Sequence, residues 1–133
     1  MSGRKNTLLK YQSVTNGNMA TNIISAVTSL QYLDNSGIQF NFSGSPVGTF
    51  QVQVSADYAQ DSYGNVTNPG NWAPIILTYL LSGVVTQSTS IPTSVGSPVY
   101  VDVNQTSSPY IRAVYNAVSG SGTLNVFLTA KEL

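Results

Sequence analysis

The densest cluster of side chains able to do chemistry lies in residues 57–71. It reads Asp57-Tyr-Ala-Gln-Asp61-Ser-Tyr-Gly-Asn65-Val-Thr-Asn68 and carries two carboxylates among amides. Oxygen donors of this kind suit Ca2+, but an EF-hand places acids at alternate positions and closes on a bidentate Glu. That spacing is absent here. The other reading is an Asx-stabilised surface loop whose side chains bond their own backbone. A hydrolase using Asp57 and Asp61 as acid and base is weaker, because nothing beside them would raise one pKa. We expect no metal and no cofactor.

Aromatic residues surround the same loop. Tyr58, Tyr63 and Trp72 could bind sugars or anchor a protein interface. Alternatively, Trp72 closes the end of the fold and the tyrosines cover it. Arg112 is the one basic residue between Lys10 and Lys131. If residues 99–103 and 110–115 form a hairpin, Asp102 falls opposite it as a cross-strand pair. Arg4, Lys5 and Lys10 make the start of the chain basic, and could dock onto a neighbouring copy. A solvated, frayed terminus explains them equally well. Taken together, Arg4, Lys5, Lys10, Tyr58, Tyr63, Trp72 and Arg112 are the candidate interface residues.

What is missing narrows the chemistry further. The chain has no His, no Cys and a single Glu, Glu132. Most side chains used for acid–base and covalent catalysis are therefore absent. The Ser, Lys and Asp residues fit no triad. Ser119-Gly-Ser-Gly122 lacks the Lys of a phosphate loop and precedes a strand. We expect no enzymatic activity.

At 133 residues, the length fits one domain with one core. Charged residues make up 8% and hydrophobic residues 41%, with a net charge of +0. This excludes charge-driven disorder. It also leaves a surface with little resistance to self-association, so a homo-oligomer, a dimer or trimer, is expected. No basic–aromatic surface argues for nucleic acid, and no apolar run approaches a membrane span. Residues 1–22 contain no continuous apolar stretch of a secretory signal.

The elements that must position these residues are strands. Residues 1–22 read as an arm with little regular structure, with Asn16-Gly17 as a turn. Residues 23–33 favour strand by their Ile, Val, Thr and Tyr content. Ile38, Phe40 and Phe42 alternate with polar residues, as do Phe50, Val52 and Val54. With turns at 34–37 and 44–48, these three strands predict an antiparallel meander. Pro74 marks the run 73–81 as an edge strand or a strand start. Another strand is expected around residues 84–90. Val99, Val101 and Val103 alternate cleanly; so do Ile111, Ala113 and Tyr115, and then Leu124, Val126, Leu128 and Ala130. Seven or eight antiparallel strands make an all-β sandwich over residues 23–133, jelly-roll-like in kind.

The run Leu33-Asp-Asn-Ser-Gly-Ile-Gln-Phe-Asn-Phe-Ser-Gly-Ser-Pro-Val-Gly-Thr-Phe-Gln-Val-Gln-Val-Ser-Ala-Asp-Tyr58 resembles one found in small structural proteins of tailed bacteriophages. Gly70-Asn-Trp72, Pro109-Tyr-Ile-Arg-Ala-Val-Tyr115 and the stretch through Ser119-Gly-Ser-Gly-Thr-Leu-Asn-Val126 to Ala130-Lys131 extend the resemblance over residues 23–131. It implies a virion component made in the bacterial host cytoplasm, foremost a capsid decoration (cement) protein bound to the major capsid protein. Other virion proteins would be its partners if it is a neck or tail component. A carbohydrate-binding or adhesin-like module on the virion surface is the third expectation.

Overall fold

The computed structural model describes residues 8–29, 35–103 and 110–131. Four segments of chain build the body. The first holds β1 (Leu8–Asn18), β2 (Ile23–Ile24) and β3 (Thr28–Ser29). The second holds β4 (Asn35–Gly44) and β5 (Val47–Ser55). An excursion follows, with β6 (Ala59–Gln60), β7 (Val66–Asn68), β8 (Ala73–Pro74), β9 (Leu77–Leu81) and β10 (Val84–Ser88). The third segment holds β11 (Ile91–Pro92) and β12 (Val99–Asp102), and the fourth β13 (Tyr110–Ser119) and β14 (Gly122–Lys131).

One sheet has the order β1-β14-β4-β12 and the other β11-β5-β13-β2, with β3 also on β13 and β8 also on β5. Each of the four segments thus gives strands to both sheets, and its neighbours are the same in each. The β4–β14 ladder runs from Asn35↔Lys131 to Gly44↔Gly122. The β5–β13 ladder resumes at Val47↔Ser119 and runs to Ser55↔Tyr110, with one irregularity between Ala117 and Ser119. The fold is an antiparallel β-sandwich equivalent to one four-ribbon sheet folded over along a single line.

Local chemistry explains where the chain bends. The second segment crosses at Ser45-Pro46 after Gly44, whose φ is +87°. The fourth crosses at Gly120-Ser121, with Gly120 at φ +75°. These positive φ values suit Gly alone among ordinary residues. The two corners also touch. The Ser45 N–H donates to Ser121 O at 3.0 Å, and a Cβ on Gly120 would collide with the Ser45 carbonyl oxygen.

Inward-facing residues follow the period-2 pattern. Ile38 and Phe40, Phe50 and Val52, Val99 and Val101, Ile111, Ala113 and Tyr115, and Leu124, Val126, Leu128 and Ala130 are all buried. Phe40 and Phe50 stack across the sheets at 4.6 Å, and Phe50 meets Tyr115 at 5.2 Å. Burying each large side chain contributes about 1.5–3 kcal/mol. The Tyr115 hydroxyl is buried with no hydrogen-bond partner among the described residues, and burial pushes its pKa up.

The structure differs from the sequence reading in four places. Residues 8–18, read as part of an arm with little regular structure, form β1 on the edge of the first sheet, paired to β14. Asn16-Gly17 is an irregularity inside β1, with Asn16 at φ +50°, because a bulge and a turn both need a residue that tolerates positive φ. The meander is replaced by a sheet-to-sheet corner, since β4 and β5 lie in different sheets. Asp102 and Arg112 do not share a hairpin: β12 pairs with β4, while β13 pairs with β5.

Gly120→Ala should destabilise the fold by about 1–3 kcal/mol in urea unfolding, since strain and a backbone collision add. Gly64→Ala has the same sign of φ but open space around it, and should cost less. Equal losses would show that the corner contact adds nothing.

Candidate functional site

The loop 57–71 is built on its two carboxylates. Asp61 closes a short hairpin between β6 and β7. Its Oδ1 accepts from the Tyr63 and Asn65 N–H groups at 2.8 and 2.9 Å, and its backbone pairs with Asn65 and Gly64. The Asn65 backbone N–H, foremost, holds the Asp61 pKa below the ordinary value. Asp57 ties the loop's base. Its Oδ1 accepts from the Asn71 N–H at 2.8 Å and from Ser55 Oγ at 2.8 Å, and its Oδ2 accepts from Asn71 Nδ2 at 2.7 Å. These donors, the Asn71 N–H first, lower the Asp57 pKa to about 2. Each carboxylate is engaged by its own loop, in the Asx manner. Among the described residues, no three acidic groups gather around a possible ion.

Beside the loop, the outer face of the second sheet carries a stacked cluster. Ile111 and Ala113 point into the core, so Tyr110 and Arg112 point outward. The Arg112 guanidinium lies over the Trp72 ring at 4.3 Å, and Arg112 Nε donates to Gln53 Oε1 at 2.9 Å. Partial burial lowers the Arg112 pKa, yet the guanidinium stays charged. Trp72 Nε1 donates to Pro69 O at 2.9 Å. Tyr58 meets Trp72 at 5.7 Å and Tyr110 at 5.0 Å, and its hydroxyl accepts from Gln60 Nε2. Trp72 therefore covers a sheet face rather than the end of the sandwich. Pairing with Gln53 and Trp72 takes the place of the expected Asp102 partner.

Of the sequence candidates, Tyr58, Trp72 and Arg112 come together. Tyr63 stands apart at the hairpin tip with 89% of its surface exposed. Lys10 lies on β1 with its Nζ 5.2 Å from the centre of the Phe127 ring, so it sits within the sheet. Arg4 and Lys5 lie outside the described residues.

A second surface was missed. β9 and β10 form a hairpin through Ser82-Gly83, both at positive φ as a tight two-residue turn requires. Leu80, Val84 and Val85 are exposed on it, with Ile76 just before it and Tyr100 beside it. A groove of about 350 Å³ runs between the hairpin and β12, lined by Thr78, Leu80, Val85, Val95, Pro98 and Tyr100 among others. Two signals were available in the sequence. No Asp, Glu, Lys or Arg occurs in residues 62–101, and Leu80-Leu81 and Val84-Val85 break the alternation of a half-buried strand.

No family model matches this chain, and no curated protein sequence matches it. Among solved structures, the crystal structure of the SPBc2 prophage-derived protein YomS is similar in fold. It is 9% identical with a TM-score of 0.59, and the match covers 98% of each chain.

The Asp57 shift sets a sign. Its folded pKa is depressed, so its contribution is present above the ordinary value of 3.8 and is lost as pH falls through about 2. In an NMR titration, the Asn71 amide should shift with a midpoint of about 2. A midpoint near 3.8 would mean that the Asn71 bonds do not hold the carboxylate.

Proposed function

We propose that this chain is a virion structural protein, and within that class a capsid decoration protein that binds the assembled shell. The observation that carries the reading is the end-to-end likeness in fold to a prophage-derived protein. The character of the surface supports it. The loop carboxylates are engaged by their own backbone, and the outer faces are rich in amides and hydroxyls. Such faces form wet, hydrogen-bonded contacts with aromatic and Arg anchors. In this reading Trp72 and Arg112, backed by the buried Tyr58, form one preformed patch for a shell subunit. The protein stabilises the shell because it binds only the assembled state. The reading includes no catalytic step, cofactor, nucleic acid or membrane.

A neck or tail position is the alternative within the same class. A glycan-binding module is favoured by one observation, the Tyr63 ring held in water at a hairpin tip. The other two loop aromatics already stack within the protein.

Copy number per particle separates these readings, measured by quantitative mass spectrometry of purified particles against the major shell protein. A decoration protein should be present on the order of hundreds of copies, and a neck or tail ring at about five to twelve. Absence from the particle would reject the structural reading. In that case Tyr63→Ala should abolish retention on a glycan array, if the module reading is correct.

A further inference from the structure

The β9–β10 hairpin has the features of a strand edge that is normally covered. β10 pairs with β9 on one side, and no strand among the described residues pairs with its other edge. Free edges in soluble proteins are blunted by Lys, Pro, bulges or inward charges. β10 reads Val-Val-Thr-Gln-Ser and pairs with β9 in unbroken register, so it has none of these devices.

The face beside this edge is apolar. Val85, paired with Leu80, is 68% exposed and Ile76 70%, and Leu80 and Tyr100 are more than half exposed, all on the side facing away from Leu77. At roughly 150–200 Å² per large side chain, these four leave about 400 Å² in water. That is the size of the largest patch on a typical monomer, which is often functional. It is about half of the roughly 800 Å² per partner in a standard interface, and the β10 edge adds to it. Charge argues for the occupant. Residues 62–101 carry no ionisable acid or base of the Asp, Glu, Lys or Arg type. Two copies of this face can meet without like-charge repulsion, whereas a charged partner would find no counter-charge here.

We propose that the β9–β10 hairpin is a homodimer interface. β10 of one copy pairs antiparallel with β10 of a second, with Thr86 near the two-fold axis. Antiparallel pairing of a strand with itself is isologous, so each copy buries the same surface and the contact closes. The result is a four-stranded sheet, β9-β10-β10-β9, with Leu80 and Val85 of both copies forming an apolar strip over the seam and the groove at its margin. Main-chain hydrogen bonds along the edge would supply affinity, as in strand addition generally. The interface stands apart from the virion reading and from the Tyr58–Trp72–Arg112 patch.

The test is sedimentation velocity on the full chain at about 10 µM, above the Kd of a micromolar dimer. The wild-type chain should sediment at twice its monomer mass, and Val85→Lys should halve that mass while leaving the far-UV spectrum unchanged. The absence of cysteine gives an independent readout. Thr86→Cys should form a covalent dimer under mild oxidation, while Tyr63→Cys at the remote hairpin tip should not. If Val85→Lys fails to fold, the cysteine pair decides. A monomeric wild-type chain, a dimer unmoved by Val85→Lys, or equal cross-linking at both cysteines would each overturn the proposal. None of these results bears on whether the chain is found in a particle.

Discussion

The line along which the sheet folds over is the constraint on which the rest of the molecule depends. Four segments cross it side by side, and at each crossing the chain leaves one ladder before joining the next. Backbone N–H and C=O groups released there must find partners, because an unpaired buried group costs about 1–3 kcal/mol. The crossings supply those partners to one another. The Met19 N–H donates to Gly122 O, and the Ser45 N–H to Ser121 O. Thr93 Oγ1 donates to Pro46 O and accepts from the Gly48 N–H, while the Phe42 N–H donates to Ser97 Oγ. The Ala117 N–H donates to Asn22 Oδ1. The fold line is thus a seam in which each crossing is completed by its neighbours.

This seam determines where function can sit. Its register aligns Phe40 with Phe50 and Tyr115, so the core closes across the two sheets. It leaves the excursion from residue 56 to residue 90 largely outside the folded sheet, attached through β8 and the flanking strands. That excursion contains both hairpins, the Asp57 and Asp61 turns, Trp72 and the uncharged β9–β10 face. A rigid scaffold presenting loops and hairpins is the usual division of labour between framework and binding surface. The two surfaces differ in kind. One is a cation held on stacked rings, and the other is an apolar strand edge.

Much of the scaffold was legible because burial on one face of a strand imposes a period of two. The inward sets of β4, β5, β12, β13 and β14 read directly from Ile38 through Ala130. Pairing was not legible, because alternation records which face is buried and is silent about the neighbour. Gly-Ser-Pro-Val-Gly at 44–48 has the composition of a hairpin turn, and a corner between sheets needs the same Gly and Pro. The Asp102–Arg112 pair failed for that reason: proximity in sequence was taken for proximity in the ladder. Asn16-Gly17 hid a bulge in the same way. The aromatic cluster was half legible. Trp72 and Tyr58 were singled out, but their stacking with Arg112 and Tyr110 depends on β13 facing outward beside the loop's base. The β9–β10 face escaped because burial alternates along β9 but hydropathy does not: outward Leu80 is as apolar as inward Leu77 and Leu81.

Amide hydrogen exchange tests the seam most directly. Opening of a central strand requires global unfolding, whereas loops exchange by local opening. If the crossings are completed by one another, the Met19, Ser45 and Gly48 amides should exchange as slowly as that of Val126 in the middle of β14. Exchange at those three amides as fast as in the exposed 61–65 turn would contradict the account. It would mean that the two sheets are held by side-chain packing alone.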